Sequence, residues 1–271
     1  MFNNVHGWIK PDAGTPIDWG HPLSRDLRMA WLGCENTGPT IRNYAPYANQ
    51  LTGFFGANGQ LWAPSTTNGL FGPQVWHYNT PDNGNNIQAG GFWGNPASLT
   101  LNVWCNSTRG SQTDVISLGD NHLIRTVNVR GIYRYASNWH TIDTGRNIDG
   151  TGWHMLTFTI MAGLQIVWID GDAISGATNS EAPIYDQGFQ TYLGINGSGS
   201  GFQFQGDIGP AYVWGRVLER DEILQLYLDP FCMLYQGRKR QMTIGTPPPP
   251  AVPPIPHATI ISQARARAAY R

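Results

Sequence analysis

Between residues 99 and 214 the chain consists of short strand-like runs separated by glycine, asparagine and aspartate, with no helical pattern between them. The run 99–106, LTLNVWCN, alternates strictly, and its apolar side comprises Leu99, Leu101, Val103 and Cys105. Residues 152–171, GWHMLTFTIMAGLQIVWIDG, predict a hairpin with strands at 153–160 and 164–169 around an Ala162-Gly163 turn. A period of two repeated at such short intervals is typical of an antiparallel sandwich or barrel and argues against βαβ units.

Other short apolar runs bounded by turn residues predict further strands. They lie at 27–35, 50–56, 60–62, 70–76, 86–92, 113–119, 122–129 and 131–137, and in the runs QTYLGING and FQFQGDIGPAYVWGR. The 33 glycines suit this arrangement, because glycine accepts the positive φ that tight turns require. The eleven tryptophans are expected chiefly to pack the core and the sheet edges.

Residues 219–229 break the strand pattern and predict one short helix. Glu219 takes the N-cap position, and an acidic first turn follows it, where the helix dipole favours anions. Ile223, Leu226 and Tyr227 form an apolar stripe at helical spacing, and Pro230 ends the helix. Because so short a helix is unstable alone, it must pack on an existing sheet, and we expect it at an end or edge of the sandwich.

Several motifs in combination resemble a known family. They are GWHMLTF (152–158), LQIVWIDG (164–171), YLGING (192–197) and FQGDIGPAYVWGRVLERDEILQLYLDPF (204–231). The opening stretch 27–56 is similar to the first strand and loop of that family, with Asn43 where an aspartate is usual. Over residues 27–231 the chain thus resembles the laminin-G-like, concanavalin-A-like jelly rolls. The resemblance implies an all-β fold, an antiparallel two-sheet jelly-roll sandwich with one short C-terminal helix.

Composition divides the chain into three parts. Residues 1–24 look like an extended N-terminal arm, residues 25–235 form the jelly-roll domain, and residues 236–271 form a proline-rich basic arm. The body carries eleven basic residues against eighteen acidic ones, whereas the C-terminal arm has no acid. The basic residues of that arm are predicted partner contacts: Arg238, Lys239, Arg240, Arg265, Arg267 and Arg271. A basic arm on an acidic body indicates either docking onto an acidic neighbour, such as a copy of the chain itself, or contact with nucleic acid.

The lead-in HPLSRDL (21–27) and the exit LYLDPF (226–231), followed by a basic arm, look like chains encoded by tailed bacteriophages. That resemblance implies a virion-associated protein. Residues 1–10 carry no pattern of a signal peptide, and no apolar run approaches a membrane span, so we expect synthesis in the host cytoplasm and no membrane partner. The three cysteines are expected to be reduced, small apolar residues.

No catalytic set is present in the sequence. Retaining glycosidases need two carboxylates about 5 to 5.5 Å apart, which a strand supplies at alternate positions. The glutamates are Glu35, Glu181, Glu219 and Glu222, and none stands in such a run. Asp170 and Asp172 flank a hairpin glycine, and His154, inside a hydrophobic strand, is expected to be a packed, hydrogen-bonded histidine. We therefore expect no enzyme activity and no required cofactor.

Calcium is the one ion that the resemblance suggests, because laminin-G-like domains often bind it at a sandwich rim. Asp114, Asp120 and Asn121 are the candidate ligands, although the sequence favours ordinary turn roles for these residues. Hard cations need about six oxygen ligands, and the sequence supplies two or three.

Two functions follow from this sequence. The first is a capsid or tail decoration protein that docks on other virion proteins, and on copies of itself, through its arms. The second is a lectin-like module for surface glycans, in which exposed tryptophans of loop-rich regions stack on sugar rings. The candidate tryptophans are Trp62, Trp76, Trp93 and Trp139. Nucleic acid is the least favoured partner.

Overall fold

The protein folds as two antiparallel sheets stacked face to face. The structure is a computed structural model, and it describes residues 10–46, 53–56, 62–64, 71, 74–78, 86–90, 95–108, 110, 112–119, 121–135, 138–180, 183–185 and 190–234. All of the strand pairings are antiparallel. This is the predicted all-β sandwich.

The described residues contain sixteen strands. In chain order these are β1 (Leu27–Trp31), β2 (Thr40–Ile41), β3 (Gly53–Phe55), β4 (Trp62–Pro64), β5 (Gln74–Tyr78), β6 (Ile87–Ala89), β7 (Ser98–Ser107), β8 (Asp114–Leu118), β9 (His122–Arg125), β10 (Arg130–Tyr135), β11 (Asn138–Asp143), β12 (His154–Met161), β13 (Leu164–Ile169), β14 (Asp172–Ala177), β15 (Thr191–Leu193) and β16 (Gly206–Trp214). The first sheet has the order β14-β13-β12-β7-β16-β5-β4, with β1 also paired to β16. The second has the order β11-β10-β9-β8-β15-β6-β3-β2.

The main core lies between the two sheets. The predicted apolar side of β7, from Leu99 to Cys105, faces this core together with Phe158 of β12 and Ile124 of β9. The other side of β7 is buried as well, since Trp104 belongs to a second apolar cluster behind the first sheet. Alternation in the sequence therefore assigns the faces of β7 correctly, although both of its faces are buried.

That second cluster contains the α-helix predicted from the sequence, α1 (Arg220–Leu228). Ile223 and Leu226 are buried in it, and the Tyr227 ring lies parallel to the Trp104 ring with 5.8 Å between centroids. The helix thus covers a face of the first sheet. The expectation that it would sit at an end or edge of the sandwich is wrong, because its apolar stripe matches the outward side chains of central strands.

Residues 10–24 also pack on the body and do not extend from it. Ile17 forms an isolated bridge with Leu234, and both side chains are buried in the second cluster. A 3-10 helix, Pro22–Ser24, follows, and the Trp214 indole donates a hydrogen bond to the Leu23 carbonyl oxygen at 2.6 Å. The part of the predicted N-terminal arm that the structure describes is therefore built into the domain.

The alternation of apolar and polar residues in the sequence located most strands, but a few were misplaced or missed. The hairpin 153–169 is confirmed as β12 and β13, whereas the predicted strand 122–129 ends at Arg125. It ends there because Asn128 (φ 56°) and Val129 (φ 26°) turn the chain into β10. The sequence interpretation missed β2, β11 and β14, which are short or are edge strands with weak alternation.

The three cysteines are free; Cys34 and Cys105 are buried and Cys232 is half-buried. Burial raises the pKa of the Cys34 and Cys232 thiols to about 12, so both stay protonated. No helix within the described ranges has the length and apolar content needed to span a membrane.

Candidate ligand-binding face

The first sheet offers little open surface in the part of the chain that the structure describes. Every residue of β16 and nearly every residue of β7 is buried. The second sheet covers the inner side of these strands, and the second apolar cluster with α1 covers the other. A binding surface formed by a sheet must therefore be sought on the second sheet.

The outer face of the second sheet follows from strand alternation. Ile124, Tyr133 and Ile142 point into the core, so their neighbours along the strands point away from it. The residues that form this outer face are Thr40, Phe54, Gln88, Ser117, Leu123, Arg125, Arg130, Ile132, Arg134, Trp139, Thr141, Asp143 and Tyr192. Ser117, Leu123, Ile132 and Tyr192 in its middle are buried, so the exposed part of the face lies toward its two ends, at β11 and at β3-β2. These ends mix hydrogen-bonding groups with aromatic rings.

Two rings of the outer face are exposed to solvent. Phe54 in β3 is 50% exposed and Trp139 in β11 is 47% exposed. A third exposed ring, Phe202, lies over the guanidinium of Arg125, with 3.8 Å from the guanidinium carbon to the ring centroid. A flat ring held in this way presents a fixed apolar surface to a ligand.

Arg125 is itself held rigidly. Its Nε and Nη2 donate to the two carboxylate oxygens of the buried Asp114, at 2.6 and 3.1 Å, and its Nη1 donates to Gln112 Oε1. The Phe202 backbone has a positive φ of 52°, which is uncommon for a bulky residue, and its carbonyl accepts from Asp114 N–H. The ring position of Phe202 is thus set by an ion pair and by a backbone bond.

A second ion pair lies beside the first. Arg130 is the register partner of Arg125 across β9 and β10, and its Nε donates to Asp143 at 2.7 Å. Slight burial would raise the pKa of Asp143, but the Gly145 N–H and Arg130 hydrogen bonds outweigh it, and the pKa is lowered. Asp143 therefore stays ionised and paired at neutral pH.

Arg134 differs from these two arginines. It is the register partner of Trp139, and its guanidinium carbon lies 5.8 Å from the indole centroid. Its backbone N–H donates to Asn121 O at 2.8 Å, which continues the sheet beyond β9. Its Nε is buried without an acceptor, and no carboxylate pairs with it in the described ranges.

The tryptophans that the sequence suggested for sugar stacking differ in their exposure to solvent. Trp76 is 1% exposed inside the core, so it is wrong as a sugar-binding residue. Trp62 is half-buried, donates its indole N–H to Gly38 O at 3.0 Å and packs against Phe55 and Trp76. Trp139 is exposed as expected, although it lies on a strand and not in a loop. Trp93 lies outside the described residues.

The calcium candidates do not form an open site where they are described. Both carboxylate oxygens of Asp114 bind Arg125, so this aspartate is wrong as a free calcium ligand. Asn121 is buried, and Asp120 lies outside the described residues. Among the residues that can be searched, no three His, Cys, Asp or Glu side chains are grouped to hold a metal ion. The described candidates, Asp114 and Asn121, therefore do not fit a calcium site.

At one rim of the sandwich, His154 links a loop to a hairpin, which confirms the prediction of a hydrogen-bonded histidine. Its Nδ1 lies 2.7 Å from Asp170 Oδ2, and its Nε2 lies 2.8 Å from Thr151 Oγ1. The Thr151 hydroxyl also lies 2.6 Å from Ile148 O and donates its one proton there. The one hydroxyl proton thus points to a backbone oxygen and not to the imidazole, so the pair is not arranged as a nucleophile and its base.

A depression beside Lys10 is too small for a sugar. Its empty volume is about 160 Å³, and its walls include Gln74 and Trp76. Small-molecule sites usually measure roughly 300–1,000 Å³. Burial lowers the pKa of Lys10 to about 8, and its ammonium donates to Asn36 Oδ1 and Gln74 O at 2.9 Å each. This lysine therefore ties residue 10 to the domain.

The basic residues of the C-terminal arm, Arg238, Lys239, Arg240, Arg265, Arg267 and Arg271, lie outside the described residues. The sequence interpretation missed Arg125, Arg134, Phe54 and Phe202. Alternation in 131–135 places Arg134 on the sheet face opposite to that of Tyr133, and this pattern could have identified Arg134 as a residue of the outer face. Its pairing with Trp139 requires the register of β10 and β11.

Comparison with known proteins decides the family. Residues 79–224, more than half of the chain, match the laminin G model described as the concanavalin A-like lectin/glucanases superfamily. The chain belongs to this family. The jelly-roll fold inferred from the motifs is thereby confirmed, whereas bacteriophage origin stays a prediction. No curated protein matches the chain.

Solved structures share the concanavalin A-like fold at low sequence identity. Domain 4 of the extracellular GH43 arabinanase AbnA of Geobacillus stearothermophilus, in complex with arabinotriose, has a TM-score of 0.57 and 16% identity over 74% of this chain and 98% of its own. The binding domain of Paraclostridial Mosquitocidal Protein 1 has a TM-score of 0.59 and 14% identity over 76% of this chain. The ligand-binding domain of botulinum neurotoxin serotype D, in complex with N-acetylneuraminic acid, has a TM-score of 0.51 and 13% identity over 75%. The chain spans 52% and 51% of the two toxin structures.

Proposed function

We propose that the protein is a non-enzymatic glycan-binding module and that the outer face of the second sheet is its binding surface. One observation carries the proposal: exposed rings, Phe54 and Trp139 on the face and Phe202 above it, stand among hydrogen-bonding side chains. Sugars offer an apolar face of C–H groups and a rim of hydroxyls, so they suit rings flanked by polar groups.

The comparisons support this proposal at the level of the fold. The arabinanase domain is described with arabinotriose, and the neurotoxin domain is described with N-acetylneuraminic acid. At 16% and 13% identity neither likeness names a sugar for this chain. They favour the lectin-like hypothesis over the decoration hypothesis.

Binding without hydrolysis fits the state of the carboxylates on this surface. Asp114 and Asp143 are each paired with an arginine. Glycoside hydrolysis needs one protonated and one free carboxyl group at the scissile bond. An ionised, arginine-bound aspartate supplies neither, so the face is suited to binding alone.

A capsid or tail decoration role remains a prediction from the sequence. It depends on basic residues of the C-terminal arm, which lie outside the described residues, and the comparisons give it no support. It is compatible with glycan binding, because a virion protein can also adhere to sugars.

The test is a glycan array followed by calorimetric titration of the best ligand. The variants Phe54→Ala, Trp139→Ala and Phe202→Ala each remove one ring, and Leu164→Ala removes an equally exposed apolar side chain (43%) at the β12–β13 hairpin. Loss of a ring that contacts the sugar should weaken binding by about 1 kcal/mol or more, roughly fivefold, while the control binds normally. Binding that survives removal of all three rings would exclude this face.

A further inference from the structure

We propose that Arg134 and Trp139 form a subsite for a carboxylate-bearing sugar, so that the outer face prefers acidic glycans over neutral ones. This inference rests on the proposed glycan-binding function and names the class of sugar that the face selects. It concerns the corner of the face at β10 and β11.

The charges of the outer face single out Arg134. Arg125 is neutralised by Asp114 and Arg130 by Asp143, at N–O distances of 2.6 and 2.7 Å. Arg134 has no such partner among the described residues, and its described ring contact is with Trp139. Among the described residues of the face, Arg134 is therefore the arginine whose charge no carboxylate compensates, and it lies beside an exposed indole.

Arg134 is positioned for recognition and is not a freely moving surface arginine. Its backbone is bonded to Asn121 on one side and paired with Trp139 on the other. Its Nε is buried, which fixes the base of the guanidinium and leaves a donor without an acceptor. A planar guanidinium held at one edge offers its outer edge to a carboxylate in a two-bond arrangement.

A second donor without an acceptor belongs to Asn121, the residue that faces Arg134 across the strands. The side-chain Nδ2 of Asn121 is buried and has no acceptor, and Asn121 is directly bonded to Arg134 through the backbone. Buried donors normally have partners, so two unpartnered donors on adjacent residues indicate a place for an acceptor-rich group. A carboxylate provides such acceptors and also compensates the charge of Arg134.

Trp139 supplies the remaining part of sugar recognition. Its ring lies next to the guanidinium, so a sugar ring stacked on the indole would place its carboxylate within reach of Arg134. The guanidinium in turn stabilises the ring position through the cation–π contact. Either a sialic acid or a hexuronic acid carries the required carboxylate on a pyranose ring.

The experiment compares matched acidic and neutral sugars. Wild-type protein is titrated with sialyllactose against lactose, and with an oligogalacturonide against a galactose oligosaccharide of the same length. We expect the acidic member of at least one pair to bind about tenfold tighter or more, with a preference that falls as salt rises. The pair that shows the preference identifies which acidic sugar is the source of the carboxylate.

Arg134→Gln should abolish that preference while neutral sugars bind as before. Arg134→Lys keeps the charge but loses the planar pair of N–H donors, so it should retain part of the preference for acidic sugars. The control is Arg220→Gln at an exposed position of α1, which removes the same charge from another part of the molecule. Near-ultraviolet circular dichroism checks that each variant is folded.

The outcomes separate the two proposals. Neutral and acidic sugars bound equally by the wild type, or a preference unchanged in Arg134→Gln, would overturn the acidic subsite and leave glycan binding standing. Absence of any sugar binding by the wild type would overturn both.

Discussion

The Arg216 guanidinium and the Glu222 carboxylate form a two-bond ion pair, with Nη2–Oε1 at 2.6 Å and Nη1–Oε2 at 2.7 Å. Oε2 of Glu222 also accepts the backbone N–H of the N-cap residue Glu219 at 2.9 Å. Arg216 in turn donates to the carbonyls of Arg25 and Pro22. One carboxylate therefore connects the start of α1, the end of β16 and the residues that precede β1.

This ion pair should make stability depend on pH. Burial alone would raise the pKa of Glu222, but the Arg216 and Glu219 hydrogen bonds outweigh it and the pKa is lowered. A lowered carboxyl pKa contributes stability that is complete above the unfolded value of about 4.3 and is lost as pH falls through the folded value. Glu222→Gln should cost about 1–2 kcal/mol in urea unfolding at neutral pH, with the difference narrowing below about pH 4. The control Asp172→Asn removes an equal charge from an exposed site, and a constant Glu222→Gln difference down to pH 3 would contradict the prediction.

The helix should owe its stability to the sheet beneath it. Leu226 is fully buried in the second cluster, while Leu228, on the same helix, is 59% exposed. Leu226→Ala should lower the free energy of unfolding by about 2–5 kcal/mol through lost burial and a residual cavity. Leu228→Ala should change it by about 0.5 kcal/mol or less. Similar losses from both substitutions in chemical denaturation would contradict the packing described.

Gly194 should not tolerate a side chain. Its φ is +88°, and a Cβ there would lie 2.2 Å from Cε1 of Tyr78, a fully buried ring. Gly194→Ala should therefore cost about 3 kcal/mol or more, combining backbone strain with a clash. Gly38 has a nearly equal φ of +94° and open space around it. Gly38→Ala therefore carries the cost of backbone strain without a clash, about 1–2 kcal/mol. The difference in thermal stability loss between Gly194→Ala and Gly38→Ala measures the cost of the clash.

His122 should weaken the fold in mild acid. Complete burial lowers its pKa from 6.5 to about 4, and its Nε2–H donates to Ile184 O at 2.8 Å. Because the unfolded chain binds the proton more tightly, stability declines as pH falls from about 6.5 toward 4, by about 2–3 kcal/mol. His122→Gln removes the titrating group, so its urea-unfolding free energy should fall less over that interval. Parallel pH curves for the variant and the wild type would show that another group is responsible.

The strands with strong local sequence patterns were predictable, whereas the edge strands of the two sheets were not. Strict alternation located β7, and the Ala162-Gly163 turn located the β12–β13 hairpin. The strands β11 and β14 border their sheets and are largely exposed, so burial does not select apolar residues at alternate positions and their patterns are weak. Asn128 and Val129 turn with positive φ, although valine, as a β-branched residue, favours a strand.

The candidate site was predictable only in part. Trp139 was selected as an aromatic residue, but so was Trp76, and composition does not distinguish an exposed ring from a core ring. Asp114 resembled a calcium ligand because aspartate is common in such sites, yet Arg125, eleven positions later, takes both of its oxygens. The partner of a charged side chain depends on the register of β8 and β9, which is a tertiary property.

By itself the sequence determined the class of fold, the single helix and the apolar side of the central strands. These follow from the spacing of residue types along a few consecutive positions, which local sterics and burial translate directly into strand, turn or helix. Tertiary structure decided which sheet keeps an open face, which arginines are neutralised and which rings reach solvent. Those outcomes depend on contacts between residues far apart in the chain, such as Ile17 with Leu234 and Arg134 with Asn121, and no local pattern encodes them.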